Sequence, residues 1–274
     1  MADQDKQNDL IETRLRVVTW NIWWRFGPWE QRQPAIIATL KDLNPDFIAL
    51  QEVWSDADGD QAQTLAAALG YHHVYARSMD IKGFGFGNAI LSRWPIKRHD
   101  QIQLYGHEQM GEGRCALFAE IDGPRGVIPA FSTHLNWKFE QSHIRQRQVA
   151  DLARFVDGKR PWRFPPVVCG DFNADPASDE IRMLKGLTTC PVEGLFFHDA
   201  WPAAGGAGAG ITWDNTNPYV VKELEPDRRI DYIFSGWPLE RGAGHLVDCK
   251  VVGNQPVAGV WPSDHHGVMA ELRY

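Results

Sequence analysis

Six separated segments of this 274-residue chain carry side chains of the kind that work on phosphoesters: Asn21, Glu52, His134, Asp171 with Asn173, Asp231, and Asp264 with His265. Glu52 and Asp264 are hard oxygen ligands. Magnesium binds through one or two such carboxylates, keeps several waters and shares substrate phosphate oxygens. Asp171 and Asn173 stand two apart at the end of an apolar run, so an extended chain turns both to the same side. A carboxylate and a carboxamide aimed at one spot can orient a water and donate to an anionic oxygen. An imidazole held by a carboxylate is a proton-transfer group near neutral pH. Each residue also has an ordinary reading. Asn21, Asp171, Asn173 and Asp264 can cap turns, Glu52 can be the first solvated residue after a strand, His134 can be a rim histidine, and Asp231 can pair with Arg228 or Arg229.

The elements that must position these groups follow from periodicity and punctuation. Residues 16–24 read as a strand carrying Asn21 near its tip, 29–43 as a helix stopped by Asn44-Pro45, and 46–53 as a second strand with Glu52 at its end. A short helix over 61–69 ends at Gly70. Strands follow around 71–77, 86–92 and 96–104. Gly83 to Gly87 lacks a following helix and a lysine, so it reads as a turn entering a strand rather than a phosphate loop, with Asn88 and Arg93 within reach of a substrate. Residues 114–121 and 126–135 form a hairpin ending at His134, and 140–156 form a helix. The run Val167-Val168-Cys169-Gly170 is a buried strand that delivers Asp171, and a helix from about 178 to 187 follows with Ser178 as its N-cap. Strands over 229–234, 247–252 and 266–273 complete the set. The loop Gly205–Gly210 is given no chemistry. Many short strands with helices between pairs of them predict two sheets packed face to face with helices outside. The expected organisation is a tail over 1–13 and one domain over 14–274.

Composition narrows the partners. A net charge of −7 gives no cationic field for holding duplex DNA, so any polyanion has to be bound locally with help from a metal. Four cysteines without a CxxC pair read as reduced residues. No segment approaches 18 consecutive apolar residues, so no membrane anchor is expected and the expected location is cytoplasmic. Of 12 tryptophans, Trp20, Trp23, Trp24, Trp54, Trp137 and Trp261 fall near the polar motifs, where they pack core and rim or wall an apolar substrate surface.

The segments TWNIWW, ALQEVW, STHLNW, CGDFNADP, RRIDYIF and SDHHGV, in that order, resemble the signature of the endonuclease/exonuclease/phosphatase superfamily of deoxyribonuclease I-like metal-dependent phosphoesterases. The resemblance runs from about residue 16 to 273. It implies an α/β fold, a four-layer sandwich of two mixed β-sheets packed face to face with helices outside. It implies Glu52 as the principal Mg²⁺ ligand, supported by Asn21 and Asp264, with Mn²⁺ as a substitute. Asp171 would orient the attacking water and Asn173 would donate to a phosphate oxygen. His265, aligned by Asp231, would be the base or electrostatic partner, and His134 would contact the phosphate or protonate the leaving oxygen. Asn88, Arg114, Asn136, Trp23 and Trp137 are the expected substrate contacts.

Two departures narrow the subfamily. Apurinic endonucleases and tyrosyl-DNA phosphodiesterases carry Asp two residues after the first Asn, where this chain has Trp23, and apurinic endonucleases carry Tyr where it has His134. Both features resemble the deoxyribonuclease I and sphingomyelinase side and imply one metal. The expectation is a phosphodiester hydrolase of nuclease type, acting as a monomer on a phosphoester that includes nucleic acid among its candidates. The alternatives are a phosphatase or phosphodiesterase of a lipid or small-molecule phosphoester, and a non-catalytic binding module on the same fold. Basic residues a nuclease would need, Arg77, Lys82, Arg93, Arg114, Lys138 and Arg145, are scattered.

Overall fold

The computed structural model describes residues 10–106 and 111–274, and its first three elements are the strand, helix and strand expected there. Strand β1 (Arg14–Asn21), helix α1 (Trp29–Leu43) and strand β2 (Phe47–Ser55) form a crossover unit in which β1 and β2 are parallel neighbours. Helix α2 (Gln61–Leu69), capped by the Asp60 carboxylate on the Gln63 amide and closed by left-handed Gly70, leads to β3 (His72–Ile81) and β4 (Phe84–Ser92). Then come β5 (Ile96–Gln103), β6 (Cys115–Gly123), β7 (Gly126–His134), α3 (Ser142–Asp157), β8 (Val167–Asp171) and α4 (Asp179–Leu184). The chain ends with β9 (Phe197–Asp199), α5 (Ala200–Ala203), β10 (Asp231–Gly236), β11 (Leu246–Val252) and β12 (Gly267–Arg273).

Two mixed six-stranded sheets result, ordered β11-β12-β1-β2-β4-β3 and β5-β6-β7-β8-β10-β9. Strand alternation sorts the apolar residues into layers. Val17, Phe47 and Ala49 of the first sheet meet Leu117, Ala130, Val167 and Ile233 of the second in the central core. Their neighbours Val18, Ile48 and Leu50 turn outward onto Ile36 and Leu40 of α1 and Leu65 of α2. Phe131, Val168 and Phe234 turn outward onto Val149, Leu152 and Ile181 of α3 and α4. This is the expected four-layer sandwich. β7 and β8 also run parallel, in register from Ala130/Val167 to His134/Asp171. Gly170 is required there, because a Cβ would lie 2.1 Å from the Thr133 carbonyl oxygen.

Several expectations are corrected. β2 runs on to Ser55, and Glu52 sits inside it at a bulge against β4 with φ of 56° rather than at its end. The first strand stops at Asn21, and Trp23 and Trp24 enter a turn with positive φ. Ser178 occupies the N-cap of α4 without a side-chain cap bond, and that helix ends at Leu184. β9 and α5 carried no sequence signal. Of the tail expected over 1–13, residues 1–9 lie outside the described residues. Ile11 pairs with the Arg241 carbonyl, and the Thr13 hydroxyl donates to the Tyr274 carbonyl.

Candidate active site

The central strands of both sheets deliver their ends to one side of the molecule. Asn21 closes β1, His134 closes β7, Asp171 closes β8 and Asp231 opens β10, while His265 lies two residues before β12. Asp171 is the hub. Its Oδ2 accepts from Asn21 Nδ2 at 3.0 Å and lies 3.4 Å from His134 Nε2 and 3.7 Å from His265 Nε2. Its Oδ1 accepts from the Asn173 backbone amide at 2.9 Å. That bond closes a turn in which Asn173 takes φ of 49°, so the two residues meet through an Asx turn and not through continued extension. The Asn173 Nδ2 group is spent on the Leu135 carbonyl and on His134 Nε2, both at 3.1 Å.

Asn21 Nδ2 also reaches Glu52 Oε1 at 3.1 Å, while Glu52 Oε2 is buried with no hydrogen-bond partner. An orphaned buried carboxylate oxygen is costly unless something positive meets it. The neighbouring Asp264 carboxyl is pushed up to about 7, by burial first, with Glu52 adding repulsion. Crowded oxygens short of donors fit a divalent cation. A second cluster, Asp171, Asp231 and His265, gathers three ligand atoms within 4.8 Å of one another. There His265 Nδ1 lies 3.0 Å from Asp231 Oδ2. Although burial opposes the charged ring, Asp231, Asp171 and Asp264 together raise its pKa well above the ordinary histidine value. The imidazolium already supplies the positive charge in that cluster, so the cation fits on the Glu52 side.

His134 is tuned the opposite way. Burial, then the Arg114 guanidinium 2.9 Å from Nδ1, then His265 hold its pKa well below the ordinary value, so the ring is neutral. A ring held neutral does not suit protonation of a leaving oxygen.

These groups floor a cavity of about 530 Å³ walled by Trp23, Phe26, Phe86, Trp137, Trp213 and Tyr219. Arg114, Trp23 and Trp137 line it as expected. Asn88 and Asn136 do not. Asn88 donates to the Cys115 carbonyl, and Asn136 is locked to Gln141 and Gln148. Arg93 is paired with Asp46 and Asn44, and Arg145 is buried against Glu180 at 2.6 Å. Trp54 packs on Trp29 away from the cavity wall. Of the His265-His266 pair, only His265 faces the cavity. Cys115, Cys169 and Cys249 are buried and all four cysteines are free.

Three participants escaped the sequence reading. Arg32 is buried, and its guanidinium donates to the carbonyls of Ile22, Pro262, Trp23, Trp24 and Phe26, which fixes the turn after Asn21. The signal was present: Arg32 shares the four-residue spacing of Ile36 and Leu40. Trp213 forms a bridge with His265 and packs edge-on to its ring, and Arg228 holds the Asn173 carbonyl at 3.1 Å. Neither lies in a segment with strand or helix periodicity.

Comparisons agree with the geometry. The sequence model described as "Endonuclease/Exonuclease/phosphatase family" matches residues 18–265. The "Putative neutral sphingomyelinase" of Drosophila melanogaster is 24% identical over 96% of this chain, which spans 62% of the fly protein's length. The "Uncharacterized protein YbhP" of Escherichia coli K12 is 28% identical over 68% of this chain and 76% of its own. Truncated Caenorhabditis elegans TDP2 superposes with a TM-score of 0.73 at 25% identity, covering 97% of this chain and all of that one. The human Nocturnin catalytic domain shares the fold, with a TM-score of 0.70 at 22% identity over 94% of this chain and 93% of its own. The chain belongs to the endonuclease/exonuclease/phosphatase family.

Proposed function

We propose that this chain is a divalent-cation-dependent phosphodiester hydrolase that directs a water at phosphorus. The observation that carries the reading is the convergence of Asn21, His134, Asn173 and His265 on the single carboxylate of Asp171 from segments up to 244 positions apart in the chain (265 − 21). Glu52, with Asp264 and Asn21, would hold Mg²⁺, and Mn²⁺ would substitute. When bound, the cation neutralises charge developing on phosphorus-bound oxygens. Asp171, fixed by Asn21 and the Asn173 amide, orients the attacking water. His265, charged and aligned by Asp231, stabilises the developing negative charge and is the group able to give a proton. His134, neutral and held between the Arg114 guanidinium and the Asn173 carboxamide, packs beside Asp171, and Asn173 positions His134 instead of binding the phosphate itself.

The cavity wall favours a diester with an uncharged or zwitterionic body over a polynucleotide. Arg114 is engaged by His134 and Glu112, and Arg228 by Asp175, Glu225 and the Asn173 carbonyl. Glu223 and Glu225 line the same wall, so a polyanionic backbone meets carboxylates where it needs cations. The name of the fly relative, "Putative neutral sphingomyelinase", is in keeping with this second reading. The test is hydrolysis of bis-p-nitrophenyl phosphate. Turnover with Mg²⁺ that EDTA stops and added Mg²⁺ or Mn²⁺ restores supports the reading. Binding of the ester without turnover favours the non-catalytic module.

A further inference from the structure

Exposed large apolar side chains are common singly and need no explanation, but a contiguous set at a functional mouth does. Here several collect around one cavity, while others such as Trp237 and Leu239 lie at a different pocket. Leu224 is 89% exposed, Trp137 and Phe139 50% each, Val221 47% and Phe26 42%. Phe26 and Trp137 line the catalytic cavity. Phe139 lies under the guanidinium of cavity-lining Arg228, 4.4 Å from ring centroid to carbon. Leu224 stands between Glu223 and Glu225, which both line the cavity, and Val221 follows Tyr219, which does too.

The turn that carries Val221 and Leu224 is not loosely attached. Asn217 Nδ2 donates to the carbonyls of Ser263 and Asp264 beside the catalytic groups, and its own carbonyl accepts from the amides of Val220 and Val221. Leu224 occupies the left-handed region, φ 59°, a conformation that costs a leucine energy and yet leaves its side chain in solvent. A fixed turn thus holds two aliphatic side chains outward over the rim of an apolar-walled cavity.

From this arrangement we propose that the mouth of the active site is a docking surface for a zwitterionic lipid layer, with Val221, Leu224, Phe26, Trp137 and Phe139 entering the headgroup boundary. The proposal rests on the diester reading above and names how that substrate is presented. Apolar side chains set around a cavity let an amphiphile slide its phosphodiester to the catalytic floor while its apolar part stays against hydrocarbon. Charge selects the kind of layer. At the rim Lys138 is paired with Glu112, and Lys222 is followed directly by Glu223, so no surplus of cations calls for anionic lipid. No helix among the described residues is long and apolar enough to span a membrane; the attachment proposed is through the apolar area of these side chains.

The test is flotation of the full chain with vesicles of pure phosphatidylcholine and with vesicles containing phosphatidylserine, beside hydrolysis of bis-p-nitrophenyl phosphate. The wild type should float with phosphatidylcholine vesicles. Val221→Asp and Leu224→Asp, at solvent-facing positions outside the cavity, should each weaken that binding about tenfold or more and leave hydrolysis of the soluble ester unchanged. A wild type that hydrolyses the soluble ester but stays off phosphatidylcholine vesicles overturns the proposal. So does binding that requires phosphatidylserine, binding indifferent to both substitutions, or a loss of self-association in their place, which would make the face a contact between copies. Absence of soluble-ester hydrolysis would strike the catalytic reading instead, and the flotation arm reads the surface without turnover.

Discussion

Asp171 stands directly opposite Asp231 across the β8–β10 pair, and both face the same imidazole, His265, through its two ring nitrogens at 3.7 and 3.0 Å. Opposed residues in an antiparallel pair put their side chains on one face. Two buried carboxylates this close are tolerated because the ring between them is charged, and burial together with Asp231 raises Asp171 itself to about 6.

Removing Asp231 should therefore act on the proton more than on the scaffold. Asp231 raises the His265 pKa, so Asp231→Asn lowers it and moves the alkaline limb of the kcat/KM profile to lower pH, by about one unit or more. His265→Ala should cost about a thousandfold in kcat at every pH. An unmoved alkaline limb in Asp231→Asn would separate the two residues.

His134 should leave a signature in acid stability. Its folded pKa is depressed below 6.5, so the unfolded chain binds this proton first and stability is lost as pH falls below 6.5. In urea melts with EDTA, the stability difference between wild type and His134→Gln should shift toward the variant by about 1.4 kcal/mol per pH unit there. A difference independent of pH would mean the ring is charged in the fold.

Arg32 should matter through its five carbonyl acceptors. Arg32→Met leaves them unsatisfied in a buried turn and should cost about 3 kcal/mol or more in unfolding free energy. Because the same turn follows Asn21, cation affinity should fall with it. Wild-type stability in this variant would show that the turn is held by other contacts.

Cation stoichiometry tests the consequence of Trp23. With no carboxylate two residues after Asn21, calorimetric titration with Mg²⁺ should show one tight site, and two equivalent sites would contradict that placement.

The layers and most of the polar side chains that gather around Asp171 were legible because alternation and strand-end polarity are local properties of sequence. Asn21, His134 and Asp171 declared themselves as polar ends of apolar runs, and each closes a strand in the structure. What escaped was set by tertiary geometry. Glu52 reads as a strand end, yet a bulge turns it inward from mid-strand. Asn88, in the middle of β4, and Asn136, just past β7, have the right chemistry but spend it on Cys115, Gln141 and Gln148. Asn173 was placed correctly for the wrong reason, since a turn and not extension brings it to Asp171. Arg32 shares the helical spacing of Ile36 and Leu40, which marks it as facing inward, but the five carbonyls around it come from segments that only the fold brings together.

The central claim is that Glu52, with its unpartnered Oε2, anchors the cation on which turnover depends. Measuring Mg²⁺ affinity by calorimetry and hydrolysis of bis-p-nitrophenyl phosphate on the same preparations of wild type and Glu52→Gln tests it most directly. Affinity and turnover should fall together, turnover by about a hundredfold or more. A Glu52→Gln protein that binds Mg²⁺ and turns over like the wild type would contradict it.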